Sequence, residues 1–181
     1  MRVITGTARG RRLRTLEGED VRPTTDRVKE ALFSIIQFDI EGRSFLDLFA
    51  GSGQLGIEAI SRGARKVVFV DEAKKAIAVV RENVEKCGMK AQAQIVQSDA
   101  LSYLARCTEK FDVALLDPPY ASGLLKKALP MTAAVMNKGG VIFCEAPDDA
   151  DLPEEVGEFT RRRSYRYGRI ALTTYRHRDV D

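Results

Sequence analysis

Asp47-Leu48-Phe49-Ala50-Gly51-Ser52-Gly53-Gln54-Leu55-Gly56 joins a short apolar run, a glycine-rich turn and the start of a helical pattern. Glycines let a backbone approach a ligand where a Cβ would collide, and a helix start offers free N–H groups. Gly51, Gly53 and Gly56 satisfy G-x-G-x-x-G, and the acid at Asp71 lies 20 residues after Gly51. Taken alone, this element fits a dinucleotide site as well as an adenosyl site. The plainer reading is a turn needed only for tight packing of strand on helix.

Working outward, the rhythm on the carboxyl side is strand, helix, strand, helix. Strands are expected at 45–49, 66–70, 93–96, 112–116 and 140–144, and helices at 54–62, 73–86, 100–107 and 124–136. Residues 158–167 and 169–175 read as a hairpin joined near Gly168. Such alternation is that of an α/β fold with a doubly wound sheet, here seven-stranded and mostly parallel, carrying a C-terminal antiparallel hairpin. On the amino side, Val28, Ala31, Leu32, Ile35 and Ile36 recur at helical spacing after Thr25-Asp26. Residues 2–16 look like two short strands around a basic turn. The expected organisation is an N-terminal β-hairpin appendage over 1–22 and a main domain over 23–181.

The ends of the parallel strands carry ligand-type residues. Asp117-Pro118-Pro119-Tyr120 follows Val113-Ala114-Leu115-Leu116, and prolines stop the strand and turn the chain out at the carboxyl edge, where open α/β sheets bind ligands. Asp117 and the proline carbonyls only accept hydrogen bonds, and the Tyr120 ring offers a flat face. Together they suit a planar group bearing an NH2 donor, such as a nucleobase. Asp71 and Glu72 follow the second strand, where a carboxylate can accept ribose hydroxyls. Asp99 follows the third, where it would read an adenine amino group or simply cap a helix.

Composition narrows the class. The 181 residues suffice for one domain with a short appendage, 44% are hydrophobic and 30% charged, and no apolar stretch is long enough to span a membrane. The N-terminus lacks the apolar core of a signal peptide, and Cys87, Cys107 and Cys144 are too few and too scattered for a zinc site. They read as free thiols of a cytoplasmic protein that binds no metal. The net charge of +3 hides segregation: residues 1–14 carry five arginines, residues 161–178 seven, and the acidic stretch 145–158 seven acids. Two arginine blocks favour a polyanion, with nucleic acid foremost.

The combination of Asp47-Leu48-Phe49-Ala50-Gly51-Ser52-Gly53 with Asp117-Pro118-Pro119-Tyr120 resembles the S-adenosylmethionine-dependent amino-methyltransferases. Arg9-Gly10-Arg11-x-Leu13, Arg22-Pro23-Thr24-Thr25-Asp26-Arg27, Ser61-Arg62-Gly63-Ala64 and Tyr167-Gly168 narrow this to a resemblance to the bacterial RsmD family over nearly the whole chain. The resemblance implies a Rossmann-like class I methyltransferase that acts on a guanine N2 of small-subunit (16S) ribosomal RNA, as a monomer. It implies a catalytic set of Asp117, Pro118, Pro119 and Tyr120. It further implies S-adenosylmethionine held by Asp47, Phe49, Ala50, Gly51, Gly53, Asp71, Glu72, Asp99 and Ala100, and RNA held by Arg9, Arg11, Arg12, Arg22, Thr24 and Arg27. The acidic stretch 145–158 has no counterpart in it.

Three other readings stand beside this one. A nicotinamide dehydrogenase fits the glycine pattern and Asp71, but the sole histidine, His177, sits in a charged tail where exposure is expected, and no second domain exists for a reducible substrate. A non-catalytic RNA-binding or ribosome assembly factor would not need Asp117-Pro118-Pro119-Tyr120. An amino-methyltransferase acting on DNA or another RNA shares the chemistry, and charge alone does not separate the two polyanions.

Overall fold

A computed structural model describes residues 1–17, 25–119 and 123–181. The elements run α1 (Thr25–Ile35), β1 (Ser44–Asp47), α2 (Gln54–Ser61), β2 (Lys66–Asp71), α3 (Lys74–Lys86), β3 (Ala93–Gln97), α4 (Ala100–Arg106), β4 (Phe111–Leu116), α5 (Leu124–Ala133), β5 (Met136–Pro147), β6 (Glu155–Val156), β7 (Phe159–Tyr167) and β8 (Ile170–His177). They form one sheet of eight strands in the order β3-β2-β1-β4-β5-β8-β7-β6. The first five strands pair in parallel, and β8, β7 and β6 continue the sheet antiparallel. The sheet therefore has one strand more than the expected seven. The extra one, β6, is two residues long inside the acidic stretch, too short to carry an alternation.

Successive residues of the parallel strands point to opposite faces and build two cores. Phe45, Val67, Phe69, Val113, Leu115 and Phe143 pack with Leu32 and Phe33 of α1 and Ile57 of α2. Leu46, Val68, Val70, Ala114 and Ile142 pack on the other side with Leu104 of α4 and Leu129 of α5. Burial on both faces is why these strands read as continuous apolar runs.

The N-terminal segment is held to the first core. Its hairpin is a single antiparallel bridge, Arg2 to Arg12, and Val3, Ala8 and Leu13 join the same apolar cluster as α1 and α2. Polar anchoring centres on Glu58, which is fully buried on α2. Its carboxylate accepts from Ile4 N at 2.8 Å, Thr5 N at 3.0 Å and Arg62 Nε at 2.8 Å, with Lys29 Nζ at 3.3 Å. Lys29 also donates to Arg2 O at 2.9 Å. Burial lowers the Lys29 pKa, and Glu58 opposes that shift. A buried pair survives when further hydrogen bonds support it, and here Ile4, Thr5 and Arg62 support Glu58 while Arg2 O supports Lys29.

His177 differs from expectation. It is buried, its ring lying edge-on to Phe159 at 5.7 Å and its Nε2 3.2 Å from Glu158 Oε2. Pairing of β8 with β7 draws this end of the chain into the sheet. Cys144 is buried, Cys87 and Cys107 partly so, and all three are free thiols. Among the described residues no group of histidine, cysteine and carboxylate side chains could hold a metal ion, and no helix is long and apolar enough to cross a membrane.

Candidate functional site

Strand order reverses around β1, which lies between β2 and β4, and crevices outside the carboxyl ends of strands form at such a switch point. A cleft of about 310 Å³ occupies this place. Each of its walls belongs to a different strand end: Phe49, Ala50 and Gly51 after β1; Asp71 and Glu72 after β2; Asp99 and Ala100 after β3; Asp117, Pro118 and Pro119 after β4. Ten of the expected site residues thus meet in one cavity.

Within it the carboxylates differ in how far the protein already uses them. Asp71 accepts from Gly51 N through Oδ2 and from Ala73 N through Oδ1, both at 2.9 Å, so it fixes the glycine turn to the end of β2. Glu72, one residue on, has no side-chain partner among the described residues and faces the same cleft. Asp99 caps α4, accepting from Ser102 N at 3.0 Å through Oδ2. That N–H holds its pKa below the ordinary carboxylate value. The helix-cap alternative is thus realised, and Asp99 also borders the cleft.

Asp47 and Gly53 do not border the cleft. Asp47 is buried behind the turn, where Oδ2 accepts from Gly56 N at 3.1 Å. Gly53 precedes α2 in the left-handed region at φ 83°, and its N–H donates to Ala50 O. A Cβ at Gly56 would stand 2.3 Å from Phe69 Cε1, so the last glycine of the pattern serves helix-on-strand packing. Only Gly51, at φ 57°, faces the cavity.

Among the lining residues that the sequence did not single out, Gln54 has the chemistry to touch a ligand. Gln54 opens α2 and borders the cleft, and its side-chain Oε1 is buried without a hydrogen-bond partner among the described residues. An orphaned buried acceptor costs about 1–3 kcal/mol, which a donor on a bound ligand would remove. The only sequence signal for it is its place as the first helical residue after a glycine turn. A cleft with apolar walls at Phe49 and Leu101, carboxylates at Glu72, Asp99 and Asp117 and the amide of Gln54 fits a nucleoside bearing an amino group.

The expected nucleic-acid contacts divide differently. Arg9, Arg11 and Arg12 are exposed on the N-terminal segment, and Arg11 Nη1 donates to Lys86 O at 3.3 Å. Arg27 is exposed on α1 with its guanidinium 5.9 Å from the Tyr167 ring centre. Arg22, Thr24 and Tyr120 lie outside the described residues. A direct link joins this segment to the glycine turn: buried Asn83 accepts from Arg14 N at 2.8 Å and donates to both Arg14 O and Ser52 O at 2.9 Å.

Three acids of the acidic stretch pair with C-terminal arginines. Glu154 pairs with Arg161, Asp148 with Arg166 at 2.6 Å, and Glu158 with Arg178 at 3.3 Å.

Residues 1–176 match the family described as Conserved hypothetical protein 95. The chain is 39% identical over 183 aligned positions to the Bacillus subtilis protein titled "Putative rRNA methyltransferase YlbH", covering 98% of this chain and 100% of that one. It is 37% identical to the Haemophilus influenzae ribosomal RNA small subunit methyltransferase D, over 84% of this chain and 81% of the relative. The solved Escherichia coli structure titled "Putative methyltransferase yhhF" superposes with a TM-score of 0.88 at 31% identity, over 98% of this chain and 97% of that one.

Proposed function

This chain belongs to the Conserved hypothetical protein 95 family, and on that footing we propose that it is a methyltransferase of small-subunit ribosomal RNA, using S-adenosylmethionine and acting on the exocyclic N2 of a guanine. The observation that carries this reading is the single cleft in which four strand ends meet, with Asp117, Pro118 and Pro119 at one side and the glycine turn at the other. The names of the relatives point to the substrate class.

The bound cofactor supplies an electrophilic methyl group on a sulfonium. Glu72 would accept the ribose hydroxyls, Asp99 would accept an amino group of the adenine, and Gln54 Oε1 would accept from the charged amino tail. Asp71 and Asp47 act behind them by holding Gly51 and Gly56 in place. The lone pair of a guanine 2-amino group is delocalised into the ring, so this nitrogen must be held and drawn toward tetrahedral geometry before it attacks. Asp117 and the Pro118 carbonyl, both acceptors, would hold its two hydrogens, and Asp117 or water would take the proton released. Alignment of this kind supplies about 7–11 kcal/mol of the barrier reduction in well-oriented reactions. Tyr120 would stack on the base, a contact worth about 1–3 kcal/mol, and offset much of the cost of unstacking it.

Residues 1–22 would contact RNA through Arg9, Arg11, Arg12 and Arg22, joined by Thr24 and Arg27, in the cytoplasm where ribosomal subunits assemble. Mass mapping of methylated nucleotides in ribosomal RNA from cells with and without this protein tests the assignment. Loss of one guanine N2-methyl mark is expected, and retention of every such mark removes the reading.

A further inference from the structure

We infer that Glu145 is the residue that identifies the target base, accepting the N1–H of the guanine whose 2-amino group is held at Asp117. The inference rests on guanine being the substrate of the cleft. Strands β4 and β5 are parallel with Leu115 opposite Phe143 and Leu116 opposite Cys144, so the residues that follow are Asp117, just past the end of β4, and Glu145, still within β5. Alternation along β5 sets Glu145 on the face of Phe143, and Asp117 follows Leu115 by two residues on the neighbouring chain, about 4.8 Å away. Pro118, Pro119 and Glu145 also border one cavity of about 250 Å³, and the same two prolines border the cofactor cleft.

Glu145 is only partly exposed, yet its carboxylate makes no hydrogen bond or ion pair among the described residues. Three other acids of the stretch, Asp148, Glu154 and Glu158, are each tied to an arginine, and Glu145 is not. Its place beside the acceptors at Asp117 instead matches the donor pattern of one base. The pairing edge of guanine carries N1–H next to N2–H, two donors side by side. Adenine and cytosine place an acceptor nitrogen beside their amino group, and a carboxylate would face that lone pair. A carboxylate here also repels phosphate, so the backbone is kept to the arginine side and a base edge is admitted.

Small ribosomal subunits reconstituted with either guanine or 2-aminopurine at the mapped nucleotide provide the test. 2-Aminopurine keeps the amino group but presents N1 as an acceptor. Glu145→Gln is expected to lower kcat/KM on guanine about 10- to 100-fold, with the Kd for S-adenosylmethionine and the Tm unchanged. On 2-aminopurine the variant is expected to exceed the wild type, because its amide can donate to N1. An unchanged rate on guanine, or an equal loss on both bases, overturns the role of Glu145. Absence of wild-type activity on the guanine particle overturns the guanine reading itself.

Discussion

Gly51, Gly53 and Gly56 look alike in the sequence and do three different things. Gly51 opens the backbone to the cleft, Gly53 sets the left-handed entry to α2, and Gly56 makes room for Phe69. Gly56→Ala drives a methyl group to within 2.3 Å of Phe69 Cε1 and 2.9 Å of Val67 Cγ1. Overpacking of this sort costs about 1–3 kcal/mol, and urea unfolding is expected to show a loss of that size. The carboxylates also differ: Asp47 holds the Gly56 N–H behind the turn, Asp71 holds the Gly51 N–H while bordering the cleft, and Glu72 and Asp117 border the cleft from two other positions. Asp117→Ala is expected to abolish methyl transfer and leave the calorimetric Kd for S-adenosylmethionine within a few-fold of wild type. An active Asp117→Ala enzyme sinks the assigned role.

Element boundaries moved where tertiary pairing overrode local pattern. The segment 124–136 reads as one helix, but α5 ends at Ala133 and Met136 instead opens β5, opposite Phe111 of β4. At its other end β5 runs on to Pro147 because β8 pairs with it through Ile170. One carboxylate clips the amino ends of three strands: Asp112 on β4 accepts from Ser44 N at 2.9 Å and Ser44 Oγ at 3.2 Å on β1, and from Asn137 Nδ2 at 2.9 Å on β5. Burial pushes its carboxyl up, but these donors outweigh burial and hold it below the ordinary 3.8. A folded-state pKa below the unfolded one gives stability that is present above pH 3.8 and lost as pH falls through the folded value. Chemical unfolding across this acid range should show a shallower loss in Asp112→Asn than in the wild type. Equal slopes would mean that Asp112 contributes nothing to the acid limb.

At the scale of the molecule the two arginine blocks are not equivalent. Arg161, Arg166, Arg176 and Arg178 pair with Glu154, Asp148, Asp39 and Glu158, and Arg162 donates to the carbonyls of His177 and Val180. Arg9 and Arg12 have no such partner among the described residues and stand on a segment tied through Asn83 to the glycine turn. Replacing Arg9 or Arg12 by Ala is therefore expected to lower the slope of log K against log salt for ribosomal RNA by about 1 each. Arg176→Ala, which removes a partner of Asp39, should leave that slope unchanged. Filter binding over a range of KCl concentrations measures both. The parallel strands, their helices and the convergence of residues after β1 to β4 were legible in the sequence, because each strand end is written locally as an apolar run followed by a glycine, acid or proline. The sequence could not say which glycine faces a ligand, that β6 exists, that His177 is buried, that Gln54 carries an orphaned acceptor, or which arginines are already paired. Those depend on which distant groups meet, and only the packed chain decides that.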